Sequence, residues 1–598
     1  MAAKDTGRYK KEETRTGKED RKDFLKISLD IGTTFSTWCY CFDHDYNRHQ
    51  NSVRAKNWQS ENRVSEKAPT AVLIEPCGKK FHSFGYSAQR KYAELCEKNV
   101  NKATEWFFFY RFKMNLHRRT SIQDDEKLED ISGKTLNAKY VFTKAIWYLK
   151  NDAIESIRKG TLIPSIESYI QWILTVPAIW TDTAKSFMKS AAREAGIPPE
   201  RLEIVIEPET AAVYCRNLPI DGHEGDCLKH MQRGSAYAVL DAGGGTVDMT
   251  VHEIIDADSV HEIHKACGGD WGGTRVDEAI EEFIEDIFGR GILKELKEKS
   301  MEEYLDLCEI IELKKREISS SKTITIIIGY ALRQLSKSKS GRSLEEAVAN
   351  SKYEGKVIAH NDKLRVDPSV TVSWFDYSVK STVAQLSEML GKTAMSNCSV
   401  ILMVGGLSQS IVLQNAVKKT FTDKKVVIPP EAELSVSKGA VQFAYNPLFV
   451  KSRIVKYTYG TDITHKYIKS CSHKVGLREL DKNGDMRCYD NFVLIVKEGT
   501  SVPVDDVVDG SLFGPIVKTQ NSIRSEIFIS TSPDTELTTD SSCTKIGQVT
   551  FKIREEDFEK GCIYKHIYKF GGTEIKITTM NTELDEEMGE ETEVEFKG

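Results

Sequence analysis

The chain has 598 residues, 40% of them hydrophobic and 29% charged, with a formal net charge of −6. That length and balance allow several domains with large buried cores, and the slight acidic excess argues against a nucleic-acid backbone as main partner. No run of about 18 apolar residues occurs, which argues against a membrane span, and the 13 cysteines are scattered without a CxxC pair, a pattern that suits free thiols in a reducing cytoplasm.

Residues 1–22 are dominated by Lys, Arg, Glu, Asp, Thr and Gly and contain no apolar signal core, so they read as a charged, disordered tail. An α/β region follows to residue 446. It opens with an apolar run over 24–29 that leads into Asp30-Ile31-Gly32-Thr33-Thr34. A second apolar run over 236–240 leads into Asp241-Ala242-Gly243-Gly244-Gly245-Thr246, after which Val247, Met249 and Val251 alternate with polar residues. Each copy predicts a strand, a tight Gly/Thr turn and a returning strand, so two lobes of common design are expected, over 23–235 and 236–446. The polar stretch 336–343 reads as a surface loop. From 447 to 580 the chain changes to short alternating segments, at 492–496, 523–529, 549–553 and 574–578, separated by Gly, Asp, Ser and Pro. This predicts an antiparallel β domain, followed by an acidic, solvated tail over 581–598.

The turns carry the chemistry. Glycines let a backbone approach a ligand closely, and successive backbone N–H groups with Thr hydroxyls form a concave anion site. An aspartate at the strand end repels phosphate but holds Mg²⁺ or its waters. One such turn is most often only a hairpin; two facing copies would clamp one polyphosphate. His252, His261 and His264 lie on a strand-like stretch without a ligand framework, and the stripe 106–110 reads as packing.

The motifs resemble the 70-kDa heat-shock chaperone family of the actin-like ATPase superfamily. Asp30 to Ser36 looks like its first phosphate loop and Asp241 to Asp248 its second. Thr175-Val176-Pro177-Ala178, followed by a helix over 182–195 that Gly196 closes, resembles the strand-end signature between them. Cys267-Gly268-Gly269-Asp270 with Gly272, Gly273 and Asp277 resembles its glycine-rich stretch, and Val404-Gly405-Gly406 its adenosine loop. Glu207-Pro208-Glu209 and Thr458-Tyr459-Gly460 point to the divergent heat shock 70 kDa protein 12 branch, of the 12A/12B type.

The resemblance implies a two-lobed α/β ATPase with duplicated lobes, a β-rich C-terminal domain, and ATP/ADP with Mg²⁺ as cofactors. It implies that Asp30, Asp241 and Glu207 surround the metal and its waters, with Glu209 an alternative to Glu207. Gly32, Thr33 and Thr34 would touch the phosphates, opposite Gly243, Gly244, Gly245 and Thr246, with Gly272 and Gly273 nearby. Lys113 would orient the attacking water. A helix over 304–319 would offer Glu312, Lys315, Arg316 and Ser319 to adenosine, facing Gly405, Gly406 and Gln409. Gln409 stands where the family has a second arginine, so a looser hold on adenine is expected. Function is expected to be slow Mg-dependent hydrolysis by a chaperone-like protein, with client polypeptides or signalling proteins on the β-rich domain. The alternatives are a nucleotide-dependent adaptor with little hydrolysis and, less favoured, a metabolite kinase. A basic stretch at 449–453 replaces the family's acidic-apolar linker, and no amphipathic helical lid is expected after it.

Overall fold

The computed structural model describes residues 23–598 except 60–63, 118–121, 123–124, 162, 219–227, 229–230, 468–477, 481–483, 516–519, 533, 554–562, 583–585, 588–591 and 594–598. The charged tail expected over 1–22 lies outside the described residues.

Two sheets repeat one topology. In the first, β1 (Leu25–Ile31) pairs antiparallel with β2 (Phe35–Phe42) and parallel with β3 (Ile170–Val176), and β4 (Leu202–Ile206) adds in parallel beyond β3. The short strand Arg54–Ala55 closes the β2 edge. In the second, β5 (Ala236–Ala242), β6 (Val247–Ile254) and β7 (Val260–Gly269) form an antiparallel meander, and β8 (Cys398–Val404) and β9 (Lys425–Val427) add in parallel on the β5 side. The orders β4-β3-β1-β2 and β9-β8-β5-β6 therefore correspond strand for strand. Every residue of β1 and β5 is buried, as central strands with parallel neighbours and covered faces require.

Helices α1 (Ala138–Gly160) and α2 (Asp182–Glu194) cover the first sheet through a core that includes Phe142, Ile146, Phe187 and Met188. The Thr181 hydroxyl caps α2 by accepting from Ala184 N–H, and Gly196, at φ +81°, turns the chain after it. Helix α3 (Glu207–Asn217) starts directly after β4. In the second lobe α4 (Gly273–Phe288) and α5 (Met301–Lys315) bury one apolar face each. Helix α6 (Ser435–Phe443) crosses α3 so closely that a Cβ on Gly439 would collide with the Thr210 carbonyl. Together α3 and α6 fill the space between the sheets, in a core joining Ile173 and Val205 of the first to Tyr237, Val239 and Leu402 of the second. Cys39 and Cys41 are both buried on β2, packed near Val53 and Val441.

Two expectations need correction. Of residues 336–343 only 341–343 form a loop: Tyr330–Ser340 is a helix that buries Leu332, Leu335 and Ser336, and Gly341 at φ +70° ends it. The Ser/Lys composition marks its solvated face. The acidic end is not wholly a free tail either. Much of it lies outside the described residues, but Glu586–Glu587 and Thr592–Glu593 both pair with the strand Lys576–Asn581.

After residue 446 the described elements are strands. β10 (Val450–Ile454) pairs parallel with β7 and antiparallel with Ser501–Pro503, extending the second lobe's sheet. A five-stranded antiparallel sheet contains Thr458–Lys466, Met486–Val496, Ser522–Ser530 and Cys543–Lys552. A second sheet is built on Val508–Phe513, Tyr564–Lys569 and Lys576–Asn581. The two share a core of Tyr459, Val496, Ile527, Tyr568 and Ile577. This β-rich region also touches the first lobe: Lys189 pairs with Glu574 at 2.7 Å, the Tyr459 hydroxyl donates to Asp182 at 2.7 Å, Lys456 donates to the Ile179 carbonyl at 2.6 Å, and Thr573 Oγ1 donates to the Ile204 carbonyl at 2.7 Å.

Candidate functional site

The two hairpins have the same register. In the first, Asp30 lies opposite Thr37 and the Gly32 N–H donates to the Phe35 carbonyl at 3.1 Å. In the second, Asp241 lies opposite Asp248 and the Gly243 N–H donates to the Thr246 carbonyl at 2.9 Å. The tips meet across the lobes. A Cβ on Gly244 would collide with the Thr34 hydroxyl, and one on Gly245 with the Thr33 hydroxyl and Met114. Between and behind them lies a cavity of about 280 Å³, at the lower end of the size usual for small-molecule sites (roughly 300 Å³ upward).

At the deep end of the cavity the acids outnumber the bases. Asp30 Oδ2 accepts from Lys67 Nζ at 3.0 Å and from the Ser437 hydroxyl at 2.8 Å, and Oδ1 accepts from the Thr175 hydroxyl at 3.1 Å. Burial raises the Asp30 carboxyl, but Lys67, Lys113 and these bonds outweigh it and hold it below the usual carboxylate range. Glu207, the first residue of α3, is paired with Lys113 at 2.8 Å. Burial, with Asp30 and Asp248 nearby, pushes Glu207 up to about 7 despite Lys113. Asp241 is raised well above its usual range by burial and by Glu207, Asp248 and Asp30. Unlike Asp30, it forms no ion pair among the described residues.

At the other end, Lys315 is buried between Asp277 and Glu312, 2.8 Å from each. Arg316 pairs with Glu312 at 3.2 Å and Glu433 at 3.5 Å, with its guanidinium 5.6 Å from the centre of the Phe35 ring. Gly405, at φ +83°, packs where a Cβ would collide with Asp241 and the Ala242 carbonyl, and leads into the turn Gly406–Gln409. Across the lobes, Arg111 Nη1 reaches Asp277 Oδ2 at 2.6 Å.

Of the residues assigned from the sequence to the metal, the phosphates and the adenosine, the structure brings all but Gly272, Ser319 and the alternative Glu209 to the cavity wall. Gly272 stands behind the second hairpin, its N–H donating to the Gly245 carbonyl at 3.0 Å. Helix α5 ends at Lys315, not at 319, so Ser319 falls in a following turn beside Ser321. Glu207 lines the cavity, whereas Glu209 points away to Arg453, 2.7 Å distant. Lys67, Phe375 and Glu433 line it without having been singled out. Lys67 sits in Ser65-Glu66-Lys67-Ala68-Pro69, which carries no recognisable motif; only its place beside β2 gives it a role.

Two lobes of repeated topology, with matched Asp/Gly/Thr hairpins facing one cavity, define an actin-type nucleotide-binding fold. The family model described as Hsp70 protein matches residues 109–444, more than half the chain, and the chain belongs to the Hsp70 family. It is 28% identical to the heat shock 70 kDa protein 12A of Homo sapiens, over 94% of this chain and 90% of that protein. It is 27% identical to the human heat shock 70 kDa protein 12B, over 93% of this chain and 89% of that protein. It is 26% identical to the chaperone protein DnaK 3 of a Synechococcus strain, over 46% of this chain and 37% of that protein. The near full-length match with 12A and 12B, set against the partial one with DnaK 3, supports the divergent 12A/12B-like branch. The chain is thus an ATP-binding, Hsp70-like protein, and no helix among the described residues is long and apolar enough to cross a membrane.

Proposed function

We propose that the cavity holds the polyphosphate of ATP or ADP between the two hairpins, with the nucleoside toward Glu312, Lys315 and Arg316, and that ATP is hydrolysed slowly there. The observation that carries this reading is the convergence of Asp30 and Asp241, from duplicated strands, on a single cavity. In phosphoryl transfer a protein mainly positions groups and neutralises charge. The backbone N–H groups of the two Gly/Thr turns would cradle the phosphates, with the Thr33, Thr34 and Thr246 hydroxyls as donors. Lys113, fixed by Glu207, would orient the attacking water. No strong base stands free on the cavity wall among the described residues to take its proton, hence slow turnover.

Magnesium fits one side of this site. Asp241 forms no ion pair among the described residues and lies among Glu207, Asp248 and Asp30, so positive charge is called for there. No three acidic, His or Cys side chains among the described residues converge to hold a metal alone, so the ion would arrive with its nucleotide, where it supplies charge neutralisation.

The lobes 23–235 and 236–446 would move about the α3/α6 contact, and the β-rich region 447–580 would bind client polypeptides or signalling proteins in the cytoplasm. A second reading, an adaptor that binds nucleotide and scarcely hydrolyses it, is favoured by the Lys67 ammonium already resting on Asp30 and by the all-strand character of the described residues after 446. Measuring ATP binding and turnover on the purified protein, with and without unfolded peptide, tests both. Peptide-stimulated turnover supports the chaperone reading, binding without turnover the adaptor, and no binding of ATP or ADP overturns both.

A further inference from the structure

A second cavity, of about 80 Å³, lies where the first turn of α2, the strand β7, the chain leaving β10 and the bend at Gly572 meet. It is far smaller than the nucleotide cavity, but several times the roughly 10–15 Å³ that one water needs. Its wall carries charge from each of these elements: Asp182 and Lys185 from α2, Glu262 from β7, Arg453 and Lys456 from β10 and beyond, and Glu574 after the bend. Most of these charges are already matched. Arg453 is taken by Glu209 in two bonds of 2.7 Å, Glu574 by Lys189 at 2.7 Å, and Lys185 by Asp182 at 3.4 Å. Glu262 accepts from the Ile454 N–H at 2.9 Å, and burial, with Glu209 nearby, pushes its carboxyl up to about 8. At neutral pH it is therefore an uncharged group with a hydrogen to donate. Lys456 is the exception. Its ammonium donates to the Ile179 carbonyl at 2.6 Å and lies 3.5 Å from that of Trp180, and it forms no ion pair among the described residues. Burial and the like charge of Lys185 pull it down to about 8, in spite of Asp182 and Asp248. Around the cavity, then, the cations Lys185, Lys189, Arg453 and Lys456 face the anions Asp182, Glu209 and Glu574, and one positive charge is left over.

We propose that this cavity is a site for one small oxyanion of the chemistry of inorganic phosphate, held by the Lys456 ammonium with Lys185 and the Glu262 carboxyl as further donors. The physical reason is charge balance in an enclosed place. An unmatched ammonium in poorly solvated surroundings attracts an anion far more strongly than it does in bulk water, and a lysine is a point-charge donor to phosphate. A cluster of solvated surface lysines would offer neither the enclosure nor the single excess charge. The three donors stand on α2 of the first lobe, on β7 of the second, and at the entry to the β-rich region, so the site exists only where all three bodies are assembled. It is separate from the nucleotide cavity but adjoins its support: Ile179, which Lys456 holds by the carbonyl, donates its N–H to Asp248 at 2.8 Å, and Asp248 lies opposite Asp241 in the second hairpin. The proposal does not depend on what the larger cavity binds.

The test is calorimetric titration of inorganic phosphate into the full chain at constant ionic strength in chloride. Mg²⁺ and a non-hydrolysable ATP analogue are kept in excess, so that phosphate does not enter the nucleotide cavity. The wild type is expected to bind one phosphate per chain. Lys456→Met is expected to weaken that binding by about tenfold or more, the scale of one hydrogen bond to a charged group, and Lys456→Arg, which keeps the charge, to weaken it less. If Lys456→Met does not fold, the wild type still decides the matter, because phosphate should raise its melting temperature where chloride at equal ionic strength does not. A wild type that neither binds phosphate nor gains in melting temperature overturns the proposal. So does a folded Lys456→Met that binds phosphate as tightly as the wild type.

Discussion

Arg453 and Glu209 form a buried two-pronged pair: Nε donates to Oε1 and Nη2 to Oε2, both at 2.7 Å, while Nη1 of the same guanidinium reaches the Gly571 carbonyl. Glu209 lies in the first turn of the helix that Glu207 begins at the cavity wall, and Arg453 lies on β10, the entry to the β-rich region. One side chain thus joins the helix of the nucleotide site to β10 and to the bend at Gly571, between the strands Tyr564–Lys569 and Lys576–Asn581. Arg453→Ala leaves a carboxylate buried without its partner, which should cost about 3–5 kcal/mol in stability. The double variant Arg453→Met with Glu209→Met should recover most of that in chemical denaturation. A single variant as stable as wild type would show the pair to be dispensable.

Glu262 gives this junction a pH dependence. It accepts from the Ile454 N–H at 2.9 Å, and burial, with Glu209 nearby, pushes it from 4.5 up to about 8 despite Arg453. Between those values the folded chain keeps a proton that the unfolded chain releases, so stability falls as pH rises through that window, by up to about 1.4 kcal/mol per unit. Glu262→Gln removes the dependence. Its melting temperature should gain on wild type from pH 5 to pH 8, and a constant difference would refute the assignment.

Arg111 bridges the two lobes beside the cavity. It sits at φ +55° and spans the lobes to Asp277, which also holds Lys315. The pair of cations keeps Asp277 below its usual carboxylate range, against the effect of burial. Arg111→Ala should speed release of a fluorescent ADP by about tenfold or more in stopped-flow, the value of one charged hydrogen bond. Arg111→Lys should restore little, because a lysine does not reproduce the guanidinium fork.

Asp241→Ala is expected to abolish Mg·ATP binding or hydrolysis, since it removes an acid of the cavity wall that has no ion-pair partner among the described residues. Lys113→Ala should lower single-turnover hydrolysis by about a hundredfold, the usual loss for an electrostatic donor at the reacting phosphate. Wild-type turnover in either variant would refute its assigned place.

Much of this was legible in the sequence because backbone geometry leaves a residue signature. Tight turns that approach a ligand need glycine, so both hairpins, the Gly405–Gly406 bend and the duplicated lobes could be read directly. The four β segments anticipated after 446 all overlap strands, the third running one residue past its strand and the last starting two residues before its own. What was not legible depends on partners distant in the chain. Lys67 is one lysine among many until β2 places it against Asp30, and the basic character of 449–453 gave no hint that Arg453 would be buried against Glu209. The helix at Tyr330–Ser340 was hidden by its polar face, since only Leu332 and Leu335 mark the buried side. Gly272 and Ser319 were drawn in by motif continuity, although one supports a turn from behind and the other lies past the helix end.

The β-rich region is anchored at two places that belong to different bodies. Backbone ladders fuse it to the second lobe through β10, whereas side chains such as Tyr459 and Lys189 tether it to the first. A brace so mounted resists shear between its footings. A relative movement of the two lobes would therefore load the contacts at Asp182 and Glu574, and a change at one footing would be felt at the other.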